Sequence, residues 1–437
     1  MVCRMLFCQN MLSFPDALVI PPKPNVDKTL NVPGSKSLTN RALVVAALAD
    51  GTSTLKGSLI AEDSDVMLAA LKALGFGVQT DGTTFTIEGK GGRVPAAKAE
   101  LDLRLSGTSI RFLTAMVALG QGHYRLDGNE RMRERPITDL LTALGALGVN
   151  AKSQLDTGCP PVIVDAAGLK GGSTSIAGDR SSQYLSALLM TAPYARDAVT
   201  IKVTGELQSK PFIDMTLKLM SDFGVSVKRE GYERFSVDQA VYKPRDYLVE
   251  GDAMAAGYLW GAAAITGGRV KVDNVGSTSV QGDKRLADVL AEMGCSVTWS
   301  ETSCEVIGPK DGLLKGGTFN LNDMPDQAQT LAVLALFADS PVRINDVWNM
   351  RIKETDRLAA LHTELKKFGV MVEEGRDFIV VHPLAVEPQA VQVDTYGDHR
   401  MAMAFALAGL RLPGVTINDP SCVSKTFPEF FEVLASL

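Results

Sequence analysis

The chain has 437 residues, 46% of them hydrophobic and 22% charged, with a formal net charge of −6. That is the composition of a globular protein too long for one ordinary core, so two domains are expected. No basic run supports a nucleic-acid partner, and the longest apolar stretches, such as residues 255–266, are too short to span a bilayer, so no membrane partner is expected either.

In chain order, residues 1–14 hold some apolar side chains but no continuous hydrophobic region and no cleavage site. They read as a loose extension rather than a signal peptide, with Met5 or Met11 as alternative starts. Residues 16–32 read as strand segments. After them come six apolar helices, each opened by a short polar motif, at Ser35, Ser106, Ser181, Asp252, Asp326 and Asp398. The spacings are 71, 75, 71, 74 and 72 residues. A period this regular means one supersecondary unit used six times. Ser and Asp are good N-caps, and helix N-termini carry unpaired N–H groups, so six converging ends would form an anion-binding cluster. Between them, amphipathic helices are expected to end at Gly75, Gly148, Gly224, Gly294 and Gly369, where a positive φ suits glycine. The sixth unit runs into the C-terminus without its strands, so the opening segment is expected to complete it. The units divide as three and three: 35–250 forms one domain, and 1–34 plus 251–437 the other. Crossings near Pro33-Gly34 and Glu250-Gly251 would allow hinge closure over a cleft.

Six cysteines without a C-x-x-C pair or framework spacing suggest a reducing compartment. A cytoplasmic protein without structural zinc is expected, and with only four scattered histidines no His-based metal site either.

The chemistry is concentrated at the helix starts. Lys36 and Arg41 flank hydroxyls at the first N-terminus, which suits a phosphate, although the spacing is not a Walker A loop. Residues 129–136 place Arg131, Arg133 and Arg135 beside a helix start; two of the three read as a charged surface turn. Ser181, Ser182 and Gln183 add donors. Lys353, Glu354 and Arg357 are expected on about one helical turn, and like charges there imply an anion between the two cations. Asp326 puts a carboxylate on a helix N-terminus, where it could be a base or only a cap. His399 and Arg400 open the sixth helix, and Lys425 precedes the last. Cationic and hydroxyl groups from both halves, with two acids among them, suggest a cleft that closes on multiply anionic substrates.

The segments PGSKSLTNRAL, RMRERPI, SSQYLSALLM, VEGDA, RIKETDR, GDHRMAM and KTFPEFF resemble the EPSP synthase family from about residue 28 to the end. The resemblance implies an inside-out α/β barrel of two domains, each of three repeats. It also implies a cofactor-free transfer of the enolpyruvyl group of phosphoenolpyruvate to the 5-hydroxyl of shikimate 3-phosphate, in an expected monomer. Carried over by motif, Lys36, Ser37, Arg41, Ser181, Ser182, Gln183, Ser209, Asp326, Asn349 and Lys353 would hold shikimate 3-phosphate. Lys36, Gly107, Arg131, Gln183, Arg357, Arg400 and Lys425 would hold phosphoenolpyruvate. Asp326 resembles the base, and Glu354 with Lys36 the proton donor. One motif departs from the family's usual Asn-Ala-Gly-Thr-Ala-x-Arg-Pro: here Leu105 replaces Asn and Phe112 replaces Pro. A slightly displaced helix start and reduced sensitivity to glyphosate, the family's inhibitor, are expected. The rivals are the UDP-N-acetylglucosamine enolpyruvyl transferases, which would show a reactive Cys near Arg131, and a six-repeat DNA ring clamp, which would line its hole with cations.

Overall fold

Five of the six motifs lead directly into helices, at Lys36–Leu48, Gly107–Val117, Ser182–Thr191, Ala253–Thr266 and His399–Gly409. The structure, a computed structural model, describes residues 14–24 and 26–437; the readings made for residues 1–13 lie outside the described residues. Ser35, Ser181, Asp252 and Asp398 cap their helices by accepting main-chain N–H bonds, whereas Ser106 turns its hydroxyl to Ser109 at 2.8 Å. The remaining motif, the fifth in chain order, departs from expectation. Asp326 lies within a 3-10 turn, Pro325–Gln327, that precedes the helix Ala328–Leu334, and its carboxylate caps nothing.

These helices have no polar face, and Ala253 through Ile265 are buried without a gap. A helix that is apolar all round must lie inside. The first three pack side by side, as do the last three. The sheets form the outer layer: five with four strands and one with three. In one, Lys98–Asp102 runs parallel to Gln121–Asp127, with Leu101 opposite Leu126, and Val162–Ala167 then pairs antiparallel. Its alternating pattern buries Val162, Val164 and Ala166 and turns the residues between them outward, as a one-sided sheet requires. The amphipathic helices end as expected: Gly75, Gly148, Gly224, Gly294 and Gly369 have φ between +79° and +104°.

Buried apolar residues form two large clusters, one drawn from residues 42–242 and one from residues 20–32 with 253–437. The opening segment serves two sheets rather than one. Ala17–Val19 pairs antiparallel with Val415–Asn418, completing the last sheet, but Asp27–Leu30 pairs parallel with Arg269–Val272. Reciprocally, Asp246–Leu248, which leads to the fourth inner helix, pairs parallel with Thr52–Lys56 after the first. The chain thus passes twice between the clusters, and the two passages bond to each other. Gly34 bridges Gly251, Ser35 N–H donates to Glu250 O at 2.9 Å, and Asp252 N–H donates to Pro33 O at 2.8 Å. A Cβ on Gly34 would stand 1.9 Å from the Gly57 carbonyl oxygen, so only glycine fits this close approach. Asp252 serves both helix starts there: Oδ1 accepts from Met254 N at 2.8 Å and Oδ2 from Lys36 N at 3.0 Å.

Candidate active site

The helix starts converge on two adjoining chambers. The outer one is lined by Ser37, Arg41, Ser181, Ser182, Ser209 and Asn349, and the inner one by Gly107, Glu354, Arg357 and Arg400. Lys36, Gln183, Asp326 and Lys353 line both. Residues far apart in sequence meet because each sits at the N-terminal end of its helix or on the loop beside it.

In the outer chamber Arg41 is 1% exposed. Its nitrogens donate to Thr216 Oγ1 at 2.8 Å, Ser37 O at 3.0 Å, Ser186 Oγ at 3.2 Å and Phe212 O at 3.4 Å. The guanidinium lies over the rings of Phe112 (5.2 Å) and Phe212 (5.8 Å). No carboxylate stands within ion-pairing distance among the described residues, and burial pushes this group down to about 9. Ser209 holds a left-handed φ of +57° at the start of the helix Lys210–Asp222 and accepts from Asn349 Nδ2 at 3.4 Å. A non-glycine residue in that region is strained, and such strain gathers at functional sites.

The inner chamber is organised by Arg357, which is 1% exposed. It donates to Asp398 Oδ2 at 2.7 Å, Asp326 Oδ1 at 2.8 Å and Glu354 Oε2 at 3.0 Å. Asp326 also accepts from Arg400 Nη2 at 3.0 Å and pairs with Lys353 at 3.4 Å. The sequence expectation is corrected here in two respects. Lys353 and Glu354 do not share a helical turn with Arg357; they lie between the 3-10 helix Trp348–Ile352 and the helix Arg357–Lys366. The anion between the two cations is the protein's own Asp326. Burial alone would raise the Asp326 carboxyl, but Arg400, Lys353 and Arg357 outweigh it and hold the group well below the usual range. Glu354 behaves alike: burial is outweighed by Arg357, Arg135 and Lys425. His399 is fully buried, and burial, then Arg400 and Lys36, keep it neutral.

Two residues expected to bind are not among those lining either chamber. Arg131 lines neither chamber; its Nε donates to Glu354 O at 3.1 Å and its Nη2 to Lys353 O at 3.0 Å. Lys425 lies behind the inner wall, on Asp63 Oδ1 and Leu105 O, both at 2.9 Å, and 3.9 Å from Glu354. Arg135, by contrast, is 4% exposed and lines both chambers with Thr108. Three arginines at alternate positions are indistinguishable by spacing. The available signal was Pro136, which confines the residue before it to extended backbone (Arg135, φ −85°, ψ 123°) and so turns it away from the 3-10 turn Met132–Glu134. Arg111 and Arg180 on the outer wall and Asp63 on the inner one were also missed; Asp63, one of several acids in its stretch, carried no signal. The change at Leu105 leaves its main chain in use, since that carbonyl accepts from both Lys425 and Arg135 (3.4 Å).

Inner helices wrapped by outer sheets around a shared anionic-ligand cleft define the class: the two-domain inside-out α/β barrel of the enolpyruvyl transferases. The chain superposes on the enolpyruvyl transferase NikO from Streptomyces tendae with a TM-score of 0.74, at 18% identity over 96% of this chain and 97% of that one. It superposes on EPSP synthase from Acinetobacter baumannii with a TM-score of 0.79, at 25% identity over 96% of this chain and 97% of that one. The model of the EPSP synthase (3-phosphoshikimate 1-carboxyvinyltransferase) family matches residues 20–434, and the chain belongs to that family. A 3-phosphoshikimate 1-carboxyvinyltransferase from Shewanella amazonensis is 48% identical over 427 residues, 97% of this chain and 99% of the relative. One from Shewanella denitrificans is 48% identical over 94% of this chain and 96% of the relative.

Proposed function

We propose that this chain transfers the enolpyruvyl group of phosphoenolpyruvate to the 5-hydroxyl of shikimate 3-phosphate, releasing phosphate by addition and elimination. The observation that carries this is the wall shared by the two chambers, where Asp326, Lys36 and Lys353 face both, so a hydroxyl held on one side can meet a carbon held on the other. Family membership favours this reaction over transfer to UDP-N-acetylglucosamine and over a DNA clamp.

The outer chamber takes shikimate 3-phosphate on Lys36, Ser37, Arg41, Ser181, Ser182, Gln183, Ser209, Asn349 and Lys353. Its carboxylate and phosphate supply the counter-charge that Arg41 lacks within the protein. The inner chamber takes phosphoenolpyruvate on Lys36, Gly107, Gln183, Arg357 and Arg400, with Arg131 and Lys425 at its margin as the motifs imply and Arg135, which lines both chambers, beside them. Asp326 removes the 5-hydroxyl proton while the oxygen attacks C2, and Glu354, with Lys36 nearby, protonates the methylene carbon. Elimination of phosphate reverses both transfers. In the free protein the surrounding cations keep both acids weakly basic. When phosphoenolpyruvate neutralises Arg357, Arg400 and Arg135, Asp326 gains basicity and Glu354 can carry its proton, so binding itself prepares the groups for catalysis. The same cations stabilise the departing phosphate in a site closed to water.

We also read residues 35–250 as one domain and 1–34 with 251–437 as the other, each of three repeats. Every group the reaction needs comes from one chain, which supports a monomer, and the cysteine pattern supports a cytoplasmic setting. No helix among the described residues is long and apolar enough to cross a membrane. A coupled phosphate-release assay tests the reaction: release should require both substrates together. No release with both, or equal release without shikimate 3-phosphate, refutes it.

A further inference from the structure

The wall of the outer chamber includes a cation that no motif accounts for. Arg180 stands just before the segment SSQYLSALLM, in the turn of residues 178–180 between the strand Gly172–Ala177 and the helix Ser182–Thr191. It lines the chamber beside Ser181 and Ser182. Arg41 lines the same chamber but is 1% exposed, whereas the Arg180 side chain is 48% exposed. Arg41 therefore marks the buried end and Arg180 the mouth. The turn is pinned next to Ser209, since Gln208 N donates to Gly178 O at 2.9 Å.

The one ion pair of Arg180 among the described residues is loose. Its Nε lies 3.5 Å from Asp139 Oδ2, both side chains reach water, and no hydrogen bond among the described residues engages either Nη. An exposed pair of this kind is worth little. Asp139 does not depend on it, because it sits in the first turn of the helix Thr138–Ala146, where the helix dipole favours a carboxylate. Both Nη groups are thus available to an anion in the chamber, and phosphate oxygens accept two parallel N–H bonds from such a fork.

The two anionic groups of shikimate 3-phosphate differ in what they need. The carboxylate carries one charge on two oxygens, whereas a phosphate monoester near neutral pH carries about two charges on three. The buried end offers one guanidinium, Arg41, with Ser37 beside it. The mouth offers the hydroxyls of Ser181, Ser182 and Ser209, the N-terminus of a helix of 10 residues, and Arg180. Ser181 accepts from Gln183 N at 3.3 Å, which leaves its own O–H to donate. The mouth is the richer seat for the phosphate.

We propose that Arg180 is a specificity-determining residue, whose guanidinium fork turns from Asp139 to the phosphate of shikimate 3-phosphate and so selects the phosphorylated ligand over its unphosphorylated form. The identity of the ligand rests on the enolpyruvyl-transfer reading; the free fork at the chamber mouth does not.

The test measures dissociation constants for shikimate 3-phosphate and for shikimate in the parent, Arg180→Gln, Arg180→Lys and Asp139→Asn. Arg180→Gln should weaken shikimate 3-phosphate by about tenfold and leave shikimate unchanged. Arg180→Lys keeps the charge without the fork and should fall between the parent and Arg180→Gln. Asp139→Asn frees the fork and should bind shikimate 3-phosphate at least as tightly as the parent. In Arg180→Gln, kcat/KM for shikimate 3-phosphate should fall less steeply with added salt than in the parent, and the Michaelis constant for phosphoenolpyruvate should not move. A residue that only stabilised the turn would not separate the two ligands. Equal losses for both, or an Arg180→Gln affinity equal to the parent's, overturn the proposal. A parent that binds neither ligand refutes the reaction reading instead. Titration with inorganic phosphate then decides the site: weaker phosphate binding in Arg180→Gln sustains it, and no difference overturns it.

Discussion

The two sides of the cleft use the same residue type in opposite ways. On the side built from residues 36–242, Arg41, Arg111 and Arg135 are buried with no carboxylate at ion-pairing distance among the described residues, although Arg135 lies near enough to Glu354 to act on it. Arg111 donates to Gly107 O at 3.1 Å and Gln183 Oε1 at 2.8 Å, and Arg135 donates to Leu105 O. Burial pushes Arg41 down to about 9 and Arg135 down to about 10. On the side built from residues 253–437, Arg357 and Arg400 are as deeply buried but are tied to carboxylates. Although burial opposes it, Asp398, Glu354 and Asp326 push Arg357 above its ordinary value, and Asp326 does the same for Arg400. An unpaired buried cation is costly until an anion arrives, which suits the seat proposed for shikimate 3-phosphate. A paired cluster is already neutralised and can tune acids and bases, which suits the proton transfers proposed for Asp326 and Glu354. Burial alone therefore does not tell how a buried arginine is balanced in the free protein; the inventory of nearby carboxylates does.

The largest test of this contrast is Asp326→Ala. On the paired side it should cut turnover by about 10²–10⁴-fold, the usual contribution of a general base, while the dissociation constant for shikimate 3-phosphate changes little. A rate within a few-fold of the parent would reduce Asp326 to a counter-ion for Arg400 and Lys353.

The unpaired side should respond in binding instead. Arg41→Met should weaken shikimate 3-phosphate by about a hundredfold, because a charge-assisted anchor in a dry pocket is lost, and leave the Michaelis constant for phosphoenolpyruvate nearly unchanged. The pH dependence carries the same signature. Arg41 has a lowered value in the free protein, and a bound anion raises it. Below pH about 9 both states are protonated and affinity is at its plateau. Above that, binding must take up a proton, and affinity should fall by up to about tenfold per pH unit. Isothermal titration between pH 7 and 10.5 reads this directly; a flat profile would mean that Arg41 meets no ligand charge.

The smallest expected effect lies within the unpaired side, at its second inner helix. Phe112 is fully buried beneath Arg41, and a Cβ on Gly107 would stand 2.6 Å from Arg135 Nη2, so the second inner helix starts hard against both arginines. A displacement of a few tenths of an ångström there alters the space left for an inhibitor longer than phosphoenolpyruvate. Leu105→Asn/Phe112→Pro should therefore lower the glyphosate inhibition constant a few-fold. An unchanged constant would show that neither residue sets discrimination.

Much of this was legible in the residues. The six-fold spacing of polar helix starts, the glycine at each amphipathic helix end and the absence of a polar face on the inner helices are local properties. Helix capping, left-handed backbone and hydrophobic burial act within a few residues, so sequence alone determined which segments are inner helices, where five of the six begin and that their ends bear cationic and hydroxyl groups. Motif resemblance added the reaction. Other features depended on contacts between segments hundreds of residues apart, which no local pattern encodes. Tertiary structure decided that Asp326 is the anion between Lys353 and Arg357, that Asp27–Leu30 belongs to the fourth inner helix's sheet rather than the last, and that Asp63 lies under Lys425. It also separated Arg131 from Arg135. Both are arginines in one short turn; Pro136 marks the second, but the placement of Lys353 and Glu354 across the cleft is what gives the first its main-chain partners.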